Sequence, residues 1–214
     1  MSRSGDQPIG VQATRRWLRT NVLLTSIGIG SMAGAVAGFV WGGVFGRIAM
    51  RIVFLTSDDR VRGATSDDGF EIGRFSADTI ALLIFTAILG AIVGVVFGAV
   101  RAFLALPTRF LAPVTGVAAA MFGGGAIVHS DGIDFRALEP LWLTVGLFVL
   151  IPGAWGVSVV FLSDRLFRSG RLVRSIPSNY RVAGVVGVVA TWIFLGLITA
   201  FGAIDLIRDI SDLA

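Results

Sequence analysis

The chain has 214 residues, of which 55% are hydrophobic and only 15% charged, and its mean hydropathy is +0.83. Soluble domains carry about 25% charged residues, so the composition excludes an ordinary water-soluble globule and places most of the chain in lipid. Cysteine is absent, which removes disulfides, thiolate metal sites and cysteine nucleophiles together.

Residues 1–21 read as a polar cytoplasmic segment, with Arg3, Arg15, Arg16 and Arg19 against the single acid Asp6. Trp17 suits an interfacial anchor. Thr14–Arg19 partly resembles a twin-arginine export signal, and Ala35-Val36-Ala37 offers a small-residue cleavage pattern. Arg19 stands where that signal needs an apolar residue, and the apolar run continues past Ala37, so 22–45 reads as an uncleaved first span. Within it Gly30, Gly34, Gly38, Gly42 and Gly46 recur at every fourth position. Four residues advance a helix by slightly more than one turn, so these glycines trace one spiralling groove. In water each would cost about 1 kcal/mol relative to alanine. In a bilayer the groove admits a second helix backbone to backbone.

Arg47 and Arg51 follow on one helical face, and this part is expected to emerge, tilt or lie along the interface. A guanidinium suits bidentate contact with an oxyanion, so the pair is a candidate lipid-phosphate site, weighed against simple snorkelling. The loop 56–78 holds Asp58, Asp59, Asp67, Asp68, Glu71 and Asp78. Their spacing is not that of an EF-hand loop, and nearby arginines nearly balance them, so solvation or local ion pairing is favoured over cation binding.

The second span, 79–100, carries Gly90, Gly94 and Gly98 and ends at Arg101; a connection with Pro107 and Arg109 leads to a short third span, 112–128. There Ala112, Gly116, Ala120 and Gly124 form another small-residue stripe. The stripes of the second and third spans are the expected mates of Gly30–Gly46 within one molecule, so dimerisation is not required. His129, Asp131 and Asp134 form an outer-rim polar cluster, followed by Arg136 and Glu139. A metal site or a titratable sensor are the alternatives there; ordinary interfacial polarity is favoured, and no metal or other cofactor is expected.

Pro140 stands at a first-turn position opening the fourth span, 140–162, in which Pro152-Gly153 is expected to interrupt the helix. The cytoplasmic loop 163–181 holds five arginines and one acid, and Arg165, Arg168, Arg171 and Arg174 recur every third residue. Such juxtamembrane clusters attract anionic lipid. The fifth span is 182–204, and 205–214 reads as an acidic extracytoplasmic tail.

Charge placement sets the topology. With five spans and the N-terminus inside, the inner side carries eleven arginines and two acids, net +9, and the outer side seven arginines and twelve acids, net −5. Arginine bias governs orientation, so the expected fold is an all-α bundle of five transmembrane helices, N-terminus in and C-terminus out. The pI near 11.1 is explained by this placement, and nucleic acid is not needed as a partner. Residues 34–44 and 90–100 are identical at six of eleven aligned positions, which shared packing chemistry explains better than duplication.

Two classes of activity are weighed. Transport finds hints in Gly123–Gly125 and Pro152-Gly153, because broken helices can expose backbone polar groups to a substrate. The five spans, however, hold no charged residue in their interiors, where coupled carriers usually place one. An enzyme would have to use Ser31 with His129, and without an adjacent base a serine hydroxyl is a weak nucleophile.

Gly46–Arg51, with Ser66–Phe75, and then Ser130–Phe135 with Leu138–Trp142, resemble a group of actinobacterial multi-pass membrane proteins. The resemblance covers most of residues 40–160. It implies a multi-pass protein of a bacterial plasma membrane and carries no assigned activity. The expectation is a non-enzymatic membrane protein acting through helix packing, anionic lipid on the cytoplasmic face and protein contacts; a small solute or ion channel or carrier is the alternative.

Overall fold

The computed structural model describes residues 9–57, 77–103, 107–128, 140–169 and 181–213, and every regular element among them is helical. Helix α1 (Ile9–Ala37) passes into a π-helical stretch, Gly38–Phe45, and then into α2 (Gly46–Thr56). Ala37, Phe45 and Gly46 all keep right-handed helical dihedrals, so the three pieces form one rod about 70 Å long at about 1.5 Å per residue. Helices α3 (Ala77–Phe103), α4 (Thr108–Ile127), α5 (Leu141–Ser169) and α6 (Arg181–Leu213) follow. Among the described residues four helical segments are long and apolar enough to cross a membrane: Leu23–Thr56, Thr79–Arg101, Thr108–Ile127 and Leu141–Arg168.

The rod and α3 run antiparallel along a seam of glycines. An ideal Cβ on Gly30 would fall 2.4 Å from the carbonyl oxygen of Gly94, one on Gly34 2.2 Å from that of Gly90, and one on Gly38 2.3 Å from that of Thr86. Real side chains cannot occupy those positions, so glycine is required by the approach of the backbones. Ser26 extends the seam, its hydroxyl donating to the carbonyl of Gly98 at 2.8 Å.

The π-helical stretch changes the register of this face. Its i→i+5 hydrogen bonds widen the turn, and a four-residue step there falls short of a full turn. The buried glycine after Gly38 is therefore Gly43, five residues on, which faces Leu83 and Thr86. Gly42 is only partly buried and meets the Cβ and methyl of Thr86, whose hydroxyl is turned back onto the Leu82 carbonyl of its own helix. A Cβ on Gly46 would meet only the Trp41 carbonyl of the rod itself, at 3.8 Å. The uniform four-residue groove expected through Gly46 thus turns aside at the π segment.

The opposite face of α3 is apolar and bare. Ile80, Ile84, Ile88 and Ile92 share one helical stripe and are all more than half exposed, while Gly90, Gly94 and Gly98 are buried. A helix in water arranges these residues the other way round, with the large apolar side chains inward.

The mate of the α4 stripe is α5, a correction to the expected pairing with the first span. Gly116 faces Val157 and the Gly153 carbonyl, Gly124 faces Val149, and Gly156 of α5 lies against the Thr115 carbonyl. The chain order of these contacts makes α4 and α5 antiparallel. The reason is complementarity: α5 brings its own glycines to the seam, whereas the groove of α1 is already filled by α3.

Helix α5 continues through Pro152 and Gly153. The expected interruption does not occur, and the proline ring forms part of the packing surface: a Cβ on Gly123 would fall 2.6 Å from the Cβ of Pro152. Gly125 in turn lies against the carbonyl of Gly202 in α6.

Residues 205–213, expected as part of a tail, are the last turns of α6. Leu206, Ile210 and Leu213 recur at helical spacing and pack on Val128, Val145 and their neighbours. Asp205, Asp209 and Asp212 keep the same spacing one residue earlier, on an adjoining face. A second core joins Ala33 of the rod to Leu111 and Ala112 of α4 and to Val159 and Val160 of α5.

Candidate functional site

Two indole groups fix the rod to α5. Trp41 Nε1 donates to Ser158 Oγ at 2.8 Å, and Trp155 Nε1 donates to the Gly34 carbonyl at 3.2 Å. The Trp41 ring also stacks on Phe45, with centroids 4.5 Å apart. These polar contacts lie between apolar helices, where a tryptophan N–H needs a partner. They fix the helices relative to one another and offer no group that could bind or transform a solute.

Arg47 and Arg51 stand in different surroundings. Arg47 is 9% exposed and counts among the buried residues of α2, whereas Arg51 is exposed with its guanidinium 5.4 Å from the Phe54 ring centroid. Four residues turn a helix about 40° past a full turn, enough to carry Arg51 off the face that buries Arg47. Arg47 lies within the apolar helical segment Leu23–Thr56, two residues beyond the 22–45 expected for the first span. The π stretch leads straight into α2, so the helix continues unbroken past Phe45.

Charge is concentrated at the other end of the bundle. Arg101, in the last turn of α3, is 8% exposed and lies 3.9 Å from Asp164 of α5. Arg168, one turn beyond Asp164, closes on the same carboxylate at 2.5 Å. The carboxylate is therefore flanked by one buried and one exposed guanidinium. Removing it would leave Arg101 among apolar helices with less compensation, and that is the costly case for a buried ion.

Beside this cluster opens a cleft of about 880 Å³ lined by Pro107, Thr108 and Arg109 from the start of α4 and by Phe161, Asp164, Arg165 and Arg168 from the end of α5. Pro107 has extended dihedrals, and no side chain caps the first turn of α4. That end of a helix carries partial positive charge and backbone N–H groups with no helical partner. The Arg109 guanidinium lies 4.8 Å from the centroid of the exposed Phe110 ring. Among the described residues the lining thus presents three guanidinium groups and one carboxylate, with apolar rings at its edge. The guanidinium groups there are planar, fork-shaped donors of the kind that suit oxyanions.

Of the residues singled out from sequence, Arg165 and Arg168 line this cleft, and Arg171 and Arg174 lie outside the described residues, as do His129, Asp131 and Asp134. Among the described residues no three His, Cys, Asp or Glu side chains stand together as a metal site would need. Arg109 and Asp164 were visible only as members of a charge count. Their place in a site depends on α4 and α5 lying antiparallel, which no local motif announces.

The chain matches no protein-family model, no curated protein and no solved structure.

Proposed function

We propose that this is a multi-pass protein of a bacterial plasma membrane, with five spans, the N-terminus inside and the C-terminus outside, that works without enzymatic chemistry through helix packing and contacts with lipid or protein. The observation that carries the reading is the inverted character of α3: glycines on its buried face, Ile80, Ile84, Ile88 and Ile92 on its bare one. With lipid as solvent there is no hydrophobic gain in burying isoleucine, and small residues that let backbones approach become the better interface.

The orientation is supported by Arg101, Arg109, Arg165 and Arg168 gathering at one end of the helices, as inner-side arginines do. The resemblance of residues 40–160 to actinobacterial multi-pass proteins points to the same setting. The channel or carrier reading draws on Gly123–Gly125 and Pro152-Gly153, and these residues lie in the packed seams of α4 with α5 and α6.

Two measurements test the proposal. Membranes holding the protein should retain it through an alkaline carbonate wash and release it only to detergent; release by carbonate would sink the membrane reading. Proteoliposomes should pass ions and small solutes no faster than protein-free ones, and a protein-dependent flux would replace this reading with the carrier.

A further inference from the structure

We propose that the π-helical stretch Gly38–Phe45 is a register switch. Relaxing it to α geometry turns α2 by one residue, about 100°, from its present seat to a second one, while α1 keeps its seam with α3. Such a switch goes beyond the membrane reading above and works whichever way the chain is inserted.

A π-helix is rare, and its wider turn gives up the i→i+4 ladder, so neighbouring contacts must hold it. Here the Gly46 N–H donates to the Trp41 carbonyl, five residues back. Trp41 also supplies the holding contacts. Its Nε1 donates to Ser158 Oγ of α5 at 2.8 Å, and its ring stacks on Phe45 with centroids 4.5 Å apart. Trp41 lies inside the stretch, so a change to α geometry swings the indole away from Ser158. The Trp41–Ser158 bond is therefore a latch through which α5 sets the register of α2.

The residues of the second register are already in place. Glycine stands at both 42 and 43. Gly43 now faces Leu83 and Thr86; in an α-helix Gly42, four residues after Gly38, takes that place without a side chain to clash. The same one-residue shift runs down α2, whose buried residues are Gly46, Arg47, Ala49 and Val53. Phe45, Ile48 and Ile52 each stand one residue before a buried position, and all three are exposed. The end of the rod thus carries two adjoining faces, one small and one large. In the second register Ile52 takes the place of Val53 with one methylene more, and Gly46 takes that of Arg47. Arg47 itself moves to the exposed place that Ile48 now holds. Ile48 then overfills the place of Ala49, which is 3% exposed, and overpacking of that kind keeps this register the less populated. The latch on α5 thereby decides whether Arg47 lies inside the bundle or on its flank.

The experiment uses the full chain in detergent, with a single thiol introduced as Ile52→Cys or Val53→Cys and followed by its rate of reaction with a small methanethiosulfonate. Ile52 is 39% exposed and Val53 0%, so the first thiol should react at least about tenfold faster. Adding Trp41→Phe with Ser158→Ala should speed the Val53→Cys thiol about threefold, the weight of one hydrogen bond between membrane helices on a two-state balance. The same pair of substitutions should slow the Ile52→Cys thiol. Deletion of Gly42 places Gly43 four residues after Gly38, so that an unbroken α-helix keeps the present face of α2. In that background Trp41→Phe with Ser158→Ala should leave both rates unchanged. Circular dichroism reports whether each variant keeps its helices. If the double substitution loses them, Ser158→Ala is read alone for the same opposite changes; if the deletion does, the two thiols in the full-length chain decide. Rates that stay fixed after the latch is removed overturn the switch, as do two rates that rise together, which would mean that α2 frays without turning. Faster reaction of the Val53→Cys thiol on unlatching the folded deletion variant overturns it as well.

Discussion

A Cβ on Gly34 would lie 2.2 Å from the carbonyl oxygen of Gly90, and a Cβ on Gly90 would lie 2.3 Å from the carbonyl oxygen of Gly34. The two positions are reciprocal: each glycine is required by the backbone of the other, and neither can move without opening the seam between the rod and α3. Contacts this close bring Cα–H groups onto carbonyl oxygens, a weak attraction that recurs at helix–helix interfaces.

Gly34→Ala and Gly90→Ala should each destabilise the folded protein by about 2–3 kcal/mol, the upper part of the range for overpacking a filled interior. The clash is with backbone, which cannot rotate away as a side chain tip would. Gly28, two turns earlier in α1, has nothing within 4 Å of its added Cβ, so Gly28→Ala should be neutral or stabilising by up to about 1 kcal/mol through helix propensity. Thermal unfolding in one detergent, followed by circular dichroism, compares the three. A Gly34→Ala protein as stable as Gly28→Ala would show that the seam is looser than described.

The helical class of this chain is legible because long apolar runs without charge leave few alternatives. The spacing of Gly30, Gly34 and Gly38 also marks one face of the first helix. What the spacing lacks is a partner, since the α4 stripe of Ala112, Gly116, Ala120 and Gly124 has the same period and is equally apt. Gly153 and Gly156 decide for α5, and they are not four apart. The handover from Gly42 to Gly43 is hidden because a π turn leaves no mark in residue types. The stripe Leu206, Ile210 and Leu213 is readable at helical period but masked by an aspartate immediately before each of its members. The cleft is the least legible part, for Arg109 and Asp164 lie 55 residues apart and only the antiparallel pairing of α4 and α5 brings them together.

The indole of Trp41 and the hydroxyl of Ser158 form a pair whose energy can be isolated. Trp41→Phe keeps most of the ring packing and removes the donor; Ser158→Ala removes the acceptor. Hydrogen bonds between membrane helices average about 0.6 kcal/mol in double-mutant cycles. The coupling energy should fall between about 0.5 and 1.5 kcal/mol. A coupling near zero in unfolding measurements of the four proteins would mean that the ring packing alone holds the rod to α5.

Asp164→Asn should cost more than its partial exposure suggests. The substitution keeps the shape of the side chain and removes the charge that faces Arg101, 6% exposed at its side chain, and Arg168. The hydrogen bond to the carboxylate comes from the exposed Arg168 and contributes little. The larger loss, on the order of 2 kcal/mol, arises at the buried Arg101, whose charge loses compensation. Arg168→Gln should therefore cost well under 1 kcal/mol, as exposed pairs do. Unfolding midpoints of the two variants give the order directly. A larger loss for Arg168→Gln would place the weight of the cluster on its outer pair.

The absence of cysteine makes the orientation of the helices open to a clean test, because a single introduced thiol is the only one in the chain. Arg109→Cys at the exposed start of α4 and Arg51→Cys at the exposed side of α2 stand at opposite ends of the bundle. With the N-terminus inside, a membrane-impermeant maleimide added to intact cells with a permeable outer surface should label the Arg51→Cys protein and spare the Arg109→Cys protein. Inverted membrane vesicles should reverse the pattern. Arg47→Cys gives the internal control for burial: four residues from Arg51 but 9% exposed in the native residue, its thiol should react at least about tenfold more slowly than that of Arg51→Cys, since a buried thiol in apolar surroundings is held protonated and shielded. Labelling of Arg109→Cys from outside would invert the orientation, and equal rates at 47 and 51 would show that the rod leaves the bundle before Arg47.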